Sequence, residues 1–148
     1  MNYWRMNTDK GPRDDRTCDL WYAHGVAAAG DCIEYRGRHS HIFTLLAPGD
    51  GIFMHHSEVG IVGFGIVTAK WEPRDIERND MLVYCGREEA YEYRIPVDWD
   101  PRFDCRDRPL PIFGRLPYAG AFSRVDPLRW NIQDVLEDMK RRRNEANR

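Results

Sequence analysis

Short apolar runs broken by turn signals, rather than long periodic stripes, dominate the chain. Residues 3–6 form a first apolar and aromatic run and predict a short strand. Residues 14–20 suit a short helix after the Gly11-Pro12 turn. Residues 21–31 hold Gly25, the Ala27-Ala28-Ala29 run and Gly30, and read as a loop or a closely packed segment. In residues 38–47, Ile42, Leu45 and Leu46 share a face at helical spacing, and Pro48-Gly49 ends the helix. A Pro-Gly-Asp-Gly bend then opens two strands, residues 51–55 and 60–68. The second alternates glycine with Ile61, Val62, Phe64, Ile66 and Val67, a pattern of bulges, bends or close approach by another group.

Residues 81–84 and 91–98 read as further strands. In the latter, Tyr91, Tyr93, Ile95 and Val97 alternate with polar positions, and Pro96 suggests an edge. Residues 100–111 are charged and proline-containing, a loop by composition, and 123–125 suit a last short strand. The clearest helix follows at about 127–142, with Asp126 as N-cap and Pro127 in its first turn. Trp130, Ile132, Val135, Leu136 and Met139 form its apolar stripe, and Lys140-Arg141-Arg142-Arg143 suits its negative end. Such strands with two or three helices predict an α+β fold on a small, strongly bent barrel.

Composition narrows this picture. At 148 residues the chain fits a single domain, 1–148. A net charge of −2 gives no global pull toward nucleic acid, so any such site is a local basic patch. No apolar run approaches the ~20 residues of a membrane span, and no secretory leader is visible, which predicts a cytoplasmic protein. Cys18, Cys32, Cys85 and Cys105 are scattered, without a C-x-x-C pair, and predict unbridged thiols rather than a zinc site. His39, His41, His55 and His56 lack ligand spacing as well. Five Trp and seven Tyr are many for this length, and aromatics bring large burial with a polar handle.

Tyr3-Trp4, Leu20-Trp21-Tyr22, Pro48-Gly49-Asp50, His55-His56-Ser57 and Gly60-Ile61-Val62-Gly63 follow one another in this order. In that order the chain resembles the EVE domains of the PUA-like superfamily, relatives of the YTH and ASCH domains. The first half carries the resemblance; the second follows it in outline through residues 91–99. The resemblance implies a barrel of five or six strands and a non-catalytic reader of modified nucleic acid. Such a reader flips one base, 5-methylcytosine or a related modified base, into an aromatic cage.

Carried over by position, Trp21 matches the cage Trp, and Tyr22 beside it would offer backbone to the base edge. Asn7, Thr8 and Asp9 match the polar run after the first strand. His55 and Ser57 end a strand at the same rim, and Trp71 or Trp99 would be the opposite wall. Arg36, Arg38 and Lys70 are candidate phosphate contacts. The chain departs from the family at Met6-Asn7-Thr8-Asp9, where EVE domains usually carry Lys-Ser-Glu-Pro or Lys-Thr-Glu-Pro. It departs again at residues 21–26, where Trp-Asp-Gly-Val-Arg-Asn is common. The implied partner is nucleic acid with a modified base, DNA favoured and RNA open, without a cofactor. The family setting adds a link to modification-dependent restriction, and with it a nuclease or motor partner.

Two other readings stand beside this one. Trp4 and Trp130 fit a core better than a pocket, because aromatics are mostly buried. An ASCH-like hydrolase or ribonuclease needs a catalytic lysine with a glutamate partner, and neither Lys10 nor Lys70 has one. Asp9, His24, His55, His56 and Glu58 are acids and bases in principle, but no nucleophile stands at a recognisable spacing. A protein-interaction module with an aromatic surface predicts no affinity for nucleic acid at all.

Overall fold

The Pro-Gly-Asp bend organises the start of the barrel through one buried carboxylate. Asp50 accepts hydrogen bonds from the backbone N–H of Asn2 (3.0 Å) and Ala47 (3.1 Å), and from the Trp4 indole N–H (3.2 Å). A carboxylate with three donors is satisfied although buried, and it fixes the first strand to the turn. The computed structural model describes residues 1–8, 17–32, 40–71, 90–118 and 120–147, with backbone alone at 30–32, 40 and 90–92. Asp9, Arg36, Arg38 and the strand expected at 81–84 lie outside the described residues.

The element order is β1 (Tyr3–Asn7), α1 (Thr17–His24), β2 (Val26–Cys32), α2 (Ser40–Leu45), β3 (Gly51–His56), β4 (Gly60–Val67), β5 (Ala90–Trp99), β6 (Phe122–Arg124) and α3 (Ile132–Ala146). The strands form one sheet in the order β2-β5-β4-β3-β1-β6. β1 runs parallel to β3, with Asn7 opposite His55, and the remaining neighbours are antiparallel. This curled six-stranded sheet with three helices among the described residues is the α+β small bent barrel expected from the pattern.

Alternation, interrupted by a register shift between Met54 and His55 that leaves Val62 as the extra residue of β4, sorts the side chains into two cores. Trp4, Met6, Ile52, Met54, Val62, Tyr93, Ile95, Val97 and Trp99 point into the barrel, where Trp21 and Cys18 of α1 and Phe43 of α2 meet them. Phe53, Ile61 and Phe64 point the other way, onto Ile132, Val135 and Met139 of α3. β3 is buried along its whole length because both of its faces are covered. Phe43 bridges toward the sheet's two margins, touching Tyr93 of β5 and Phe122 of β6.

The glycines of β4 have specific reasons. A Cβ on Gly63 would lie 2.2 Å from the Tyr22 hydroxyl, so this position lets α1 approach the sheet closely. A Cβ on Gly65 would meet the Asp98 carbonyl at 2.6 Å, where β5 crosses β4.

Four sequence expectations change. Residues 21–31 are not a loop: α1 continues to His24 and β2 begins at Val26, although Ala27, Ala28 and Ala29 are closely packed as expected. β5 is not an edge strand. Pro96 sits where its partner changes from β2 to β4, so the missing N–H breaks neither ladder in its middle. α3 starts later than expected. Asp126 makes a single turn, accepting from the Leu128 N–H, and the helix is capped by Asn131 accepting from the Asp134 N–H. It also runs past the basic run to Ala146, because Arg142 and Arg143 donate to the carbonyls of Pro109 and Pro101 and hold the helix against that loop. Cys18 and Cys105 are buried thiols outside any disulfide.

Candidate functional site

The rim expected to hold the polar contacts does come together. β1 and β3 end side by side, and the Thr8 N–H donates to the His55 carbonyl at 2.8 Å. The Asn7 N–H donates to the Ala121 carbonyl, and Ser57 lies in the turn after β3. Thr8 is the last described residue before Thr17, the start of α1.

Trp21 lies one turn along α1 from Thr17, so the two share a helix face. Both are buried, as is Thr8. The Trp21 indole N–H and the hydroxyls of Thr17 and Thr8 have no hydrogen-bond partner among the described residues. A buried polar group left unsatisfied costs about 1–3 kcal/mol, so two on one helix face, with a third at the end of β1, call for an explanation.

Of the two proposed walls, Trp99 is the one brought to Trp21. Their rings stack at 6.0 Å and 28°. A base held between two rings needs about 7 Å between their planes, twice a van der Waals contact. Trp99 therefore backs Trp21 rather than facing it across a gap, and its own indole donates to the Val26 carbonyl at 3.0 Å. Trp71 lies apart, packed on Phe43 and Tyr93. Lys70 is exposed near the end of β4.

Tyr22 is held from three sides. Its hydroxyl donates to the Val62 carbonyl at 3.0 Å, its ring leans on Trp99, and the Arg106 guanidinium lies over the ring, 4.0 Å from its centre. Burial, with the Asp104 charge nearby, pushes the Tyr22 phenol far above its ordinary range, so it stays a donor. Its carbonyl accepts from the Gly25 N–H at 3.4 Å and closes α1. Arg106 also pairs with Asp104 and with Asp19 of α1, both at 2.8 Å. It thus clamps the helix that carries Trp21.

His55 sits on the outer side of the rim. Arg5 NH1 lies 3.2 Å from His55 Nδ1. A guanidinium only donates, so Nδ1 accepts and the ring proton is on Nε2. Burial, then the charges of Arg5 and His56, lower the His55 pKa to about 4, so the ring is neutral at physiological pH. Burial lowers Arg5 to about 10, and it remains a cation.

Thr17 and Arg106 were not singled out from sequence. Thr17 carried a signal, its i,i+4 spacing from Trp21, which needed α1 to be extended past Leu20. Arg106 carried another: Asp104-Cys105-Arg106 repeats the Asp-x-Arg fork of Asp100-Pro101-Arg102, and both carboxylates cap and pair the arginine two residues on. Cys105 is no nucleophile. Its thiol donates to the Ile61 carbonyl, and burial pushes its pKa up to about 12. Among the described residues no cluster of three or more His, Cys, Asp or Glu is arranged for a metal. No described helix is long and apolar enough to cross a membrane.

No protein-family model matches the chain, and no curated protein matches it in sequence. Solved structures do. Human THYN1, in complex with DNA containing 5-methylcytosine, superposes with a TM-score of 0.50 at 12% identity, over 95% of this chain and 98% of that one. Protein Atu2648 from Agrobacterium tumefaciens does so with a TM-score of 0.50 at 16% identity, over 94% and 93%. What this likeness shows is the fold: the chain is a PUA-like barrel with helices packed on both faces of its sheet. The EVE resemblance drawn from motif order holds at that level.

Proposed function

We propose that this domain reads a modified base in nucleic acid, taking the base out of its stack against Trp21. The observation that carries the reading is the pair of unsatisfied buried groups on one face of α1, the Trp21 N–H and the Thr17 hydroxyl, with the Thr8 hydroxyl likewise unpartnered at the end of β1. An extruded base presents donors and acceptors on its edge and a flat face, and these are the groups such a set completes. The indole supplies a stacking surface and a donor; the hydroxyls donate or accept. Tyr22 and Arg106 keep α1 at its distance from the sheet.

The shared fold with THYN1, whose complex holds 5-methylcytosine DNA, favours DNA and that base. Trp21 is wholly enclosed, so a base reaches it only when the enclosing wall gives way, and binding carries that conformational cost. A reader of this kind cuts nothing itself. A nuclease or motor partner acting on modified DNA is the setting this reading implies.

The test is fluorescence-polarisation binding at fixed, stated salt. Matched DNA and RNA probes carry 5-methylcytosine, 5-hydroxymethylcytosine, N6-methyladenine or no modification. Trp21→Phe keeps a ring and removes the N–H, and Trp71→Phe makes the same change at a second unpartnered indole of the same core, packed on Phe43 and Tyr93 rather than on Trp99. The expected result is preference for one modified probe, reduced about tenfold in Trp21→Phe and untouched in Trp71→Phe. Equal, salt-sensitive binding to every probe, identical in both variants, overturns the reading.

A further inference from the structure

Away from Trp21 the molecule carries a second aromatic feature, of the opposite kind. Phe113 and Tyr118 are 73% and 51% exposed, yet their rings stack at 4.6 Å and 26°. The segment bearing them is anchored rather than loose. Ile112 and Leu116 are buried in the core under α3, and the Arg115 and Leu116 N–H groups return to the Ile112 carbonyl. Its far end is held by the buried Arg5, whose NH2 donates to the Gly120 carbonyl (2.5 Å) and the Ser123 hydroxyl (2.9 Å). A single chain segment thus turns two aliphatic side chains inward and two aromatic rings out to water.

Its position links it to the paired ends of β1 and β3. The Tyr118 ring lies 6.0 Å from the His55 ring, and the His55 carbonyl holds Thr8. One strand end therefore holds the end of β1 through its backbone and the exposed rings through its side chain. Extruding a base leaves its neighbour unstacked on one side, and an aromatic face restores that contact without regard to sequence.

We infer that Phe113 and Tyr118 form a stacking platform for the base adjacent to the extruded one. This rests on the reader function proposed above. The platform supplies affinity and the pocket supplies discrimination, because every base has a π face and only the modified one completes the pocket.

The experiment uses duplex DNA with 2-aminopurine on either side of the modified base, with the wild-type chain and Phe113→Ala/Tyr118→Ala. Both side chains are exposed, so thermal unfolding is expected to be unchanged. Affinity should fall about tenfold for modified and unmodified probes alike, leaving their ratio as it was. The 2-aminopurine emission should stay quenched in the wild-type complex and brighten in the variant. Tyr118→Phe, which keeps the ring, should retain the quenching. Unchanged affinity and emission in the double variant overturn the platform and leave the reader intact. A wild-type protein with no modified-base preference, whose affinity still falls with the rings, keeps the platform and removes the reader. Absence of any binding by the wild type overturns both.

Discussion

The two cores of this small barrel treat their polar groups differently. Around α3 every polar contact described closes on a protein partner. The Cys105 thiol donates to Ile61, Arg142 and Arg143 donate to the loop at 101–109, and Arg115 and Arg141 both hold Asp138. On the α1 side, the indoles of Trp21 and Trp71 and the hydroxyls of Thr8 and Thr17 end without partners among the described residues. Folding tolerates few such groups, since each forfeits its hydration without return. The difference separates a core whose described polar groups are already paired from one left chemically incomplete, and the incomplete core is where a buried ligand group has something to add.

The sharpest way to break this comparison is to weaken the complete face. Met139 is fully buried between α3 and the sheet. Met139→Ala removes that packing and leaves a cavity, and should cost about 3 kcal/mol in denaturant unfolding. The affinity of the folded fraction, and its preference among modified probes, should not move. A selective loss of that preference would place α3 in recognition and undo the division of labour.

His55 stands at the boundary between the faces. Its folded pKa of about 4 lies below the ordinary 6.5, chiefly through burial. Between these values the unfolded chain takes up a proton that the folded chain refuses. The contribution is therefore complete above pH 6.5 and is lost as pH falls toward 4, by up to about 3 kcal/mol. Unfolding midpoints should decline over that window, and His55→Gln, which keeps an acceptor facing Arg5 but cannot titrate, should flatten the decline. Equal slopes in the two proteins would mean that other groups set the acid limit and that Arg5 is not tied to a neutral ring.

How much of this was legible beforehand follows from what kind of signal each feature leaves. The Pro-Gly-Asp bend, the β3–β4 pair and the stripe Ile132, Val135 and Met139 are local patterns, and they emerged as read. Pro96 misled because local chemistry forbids a proline inside a ladder but says nothing of a strand that changes partners. Asp126 misled because two good caps lie five residues apart and only packing chooses Asn131. Trp21 is singled out by motif order, whereas its pairing with Trp99 depends on contacts across 78 positions that no spacing encodes. Phe113 and Tyr118 left no signal, since an exposed ring in a loop looks like any other aromatic until the fold places it.

The smallest effect is also the most discriminating. Thr17→Val keeps the shape of the side chain and removes a buried hydroxyl that lacks a partner among the described residues. If the hydroxyl waits for a ligand, its removal relieves a desolvation penalty. Stability should then stay within about 1 kcal/mol of the wild type or rise. Binding to the preferred modified probe should weaken several-fold at the same time. Opposite signs for stability and binding are what separate a functional orphan from a structural contact, for a structural hydroxyl would lower both. A destabilised Thr17→Val with unchanged probe preference would assign this hydroxyl to the fold and leave Trp21 as the one incomplete group on α1.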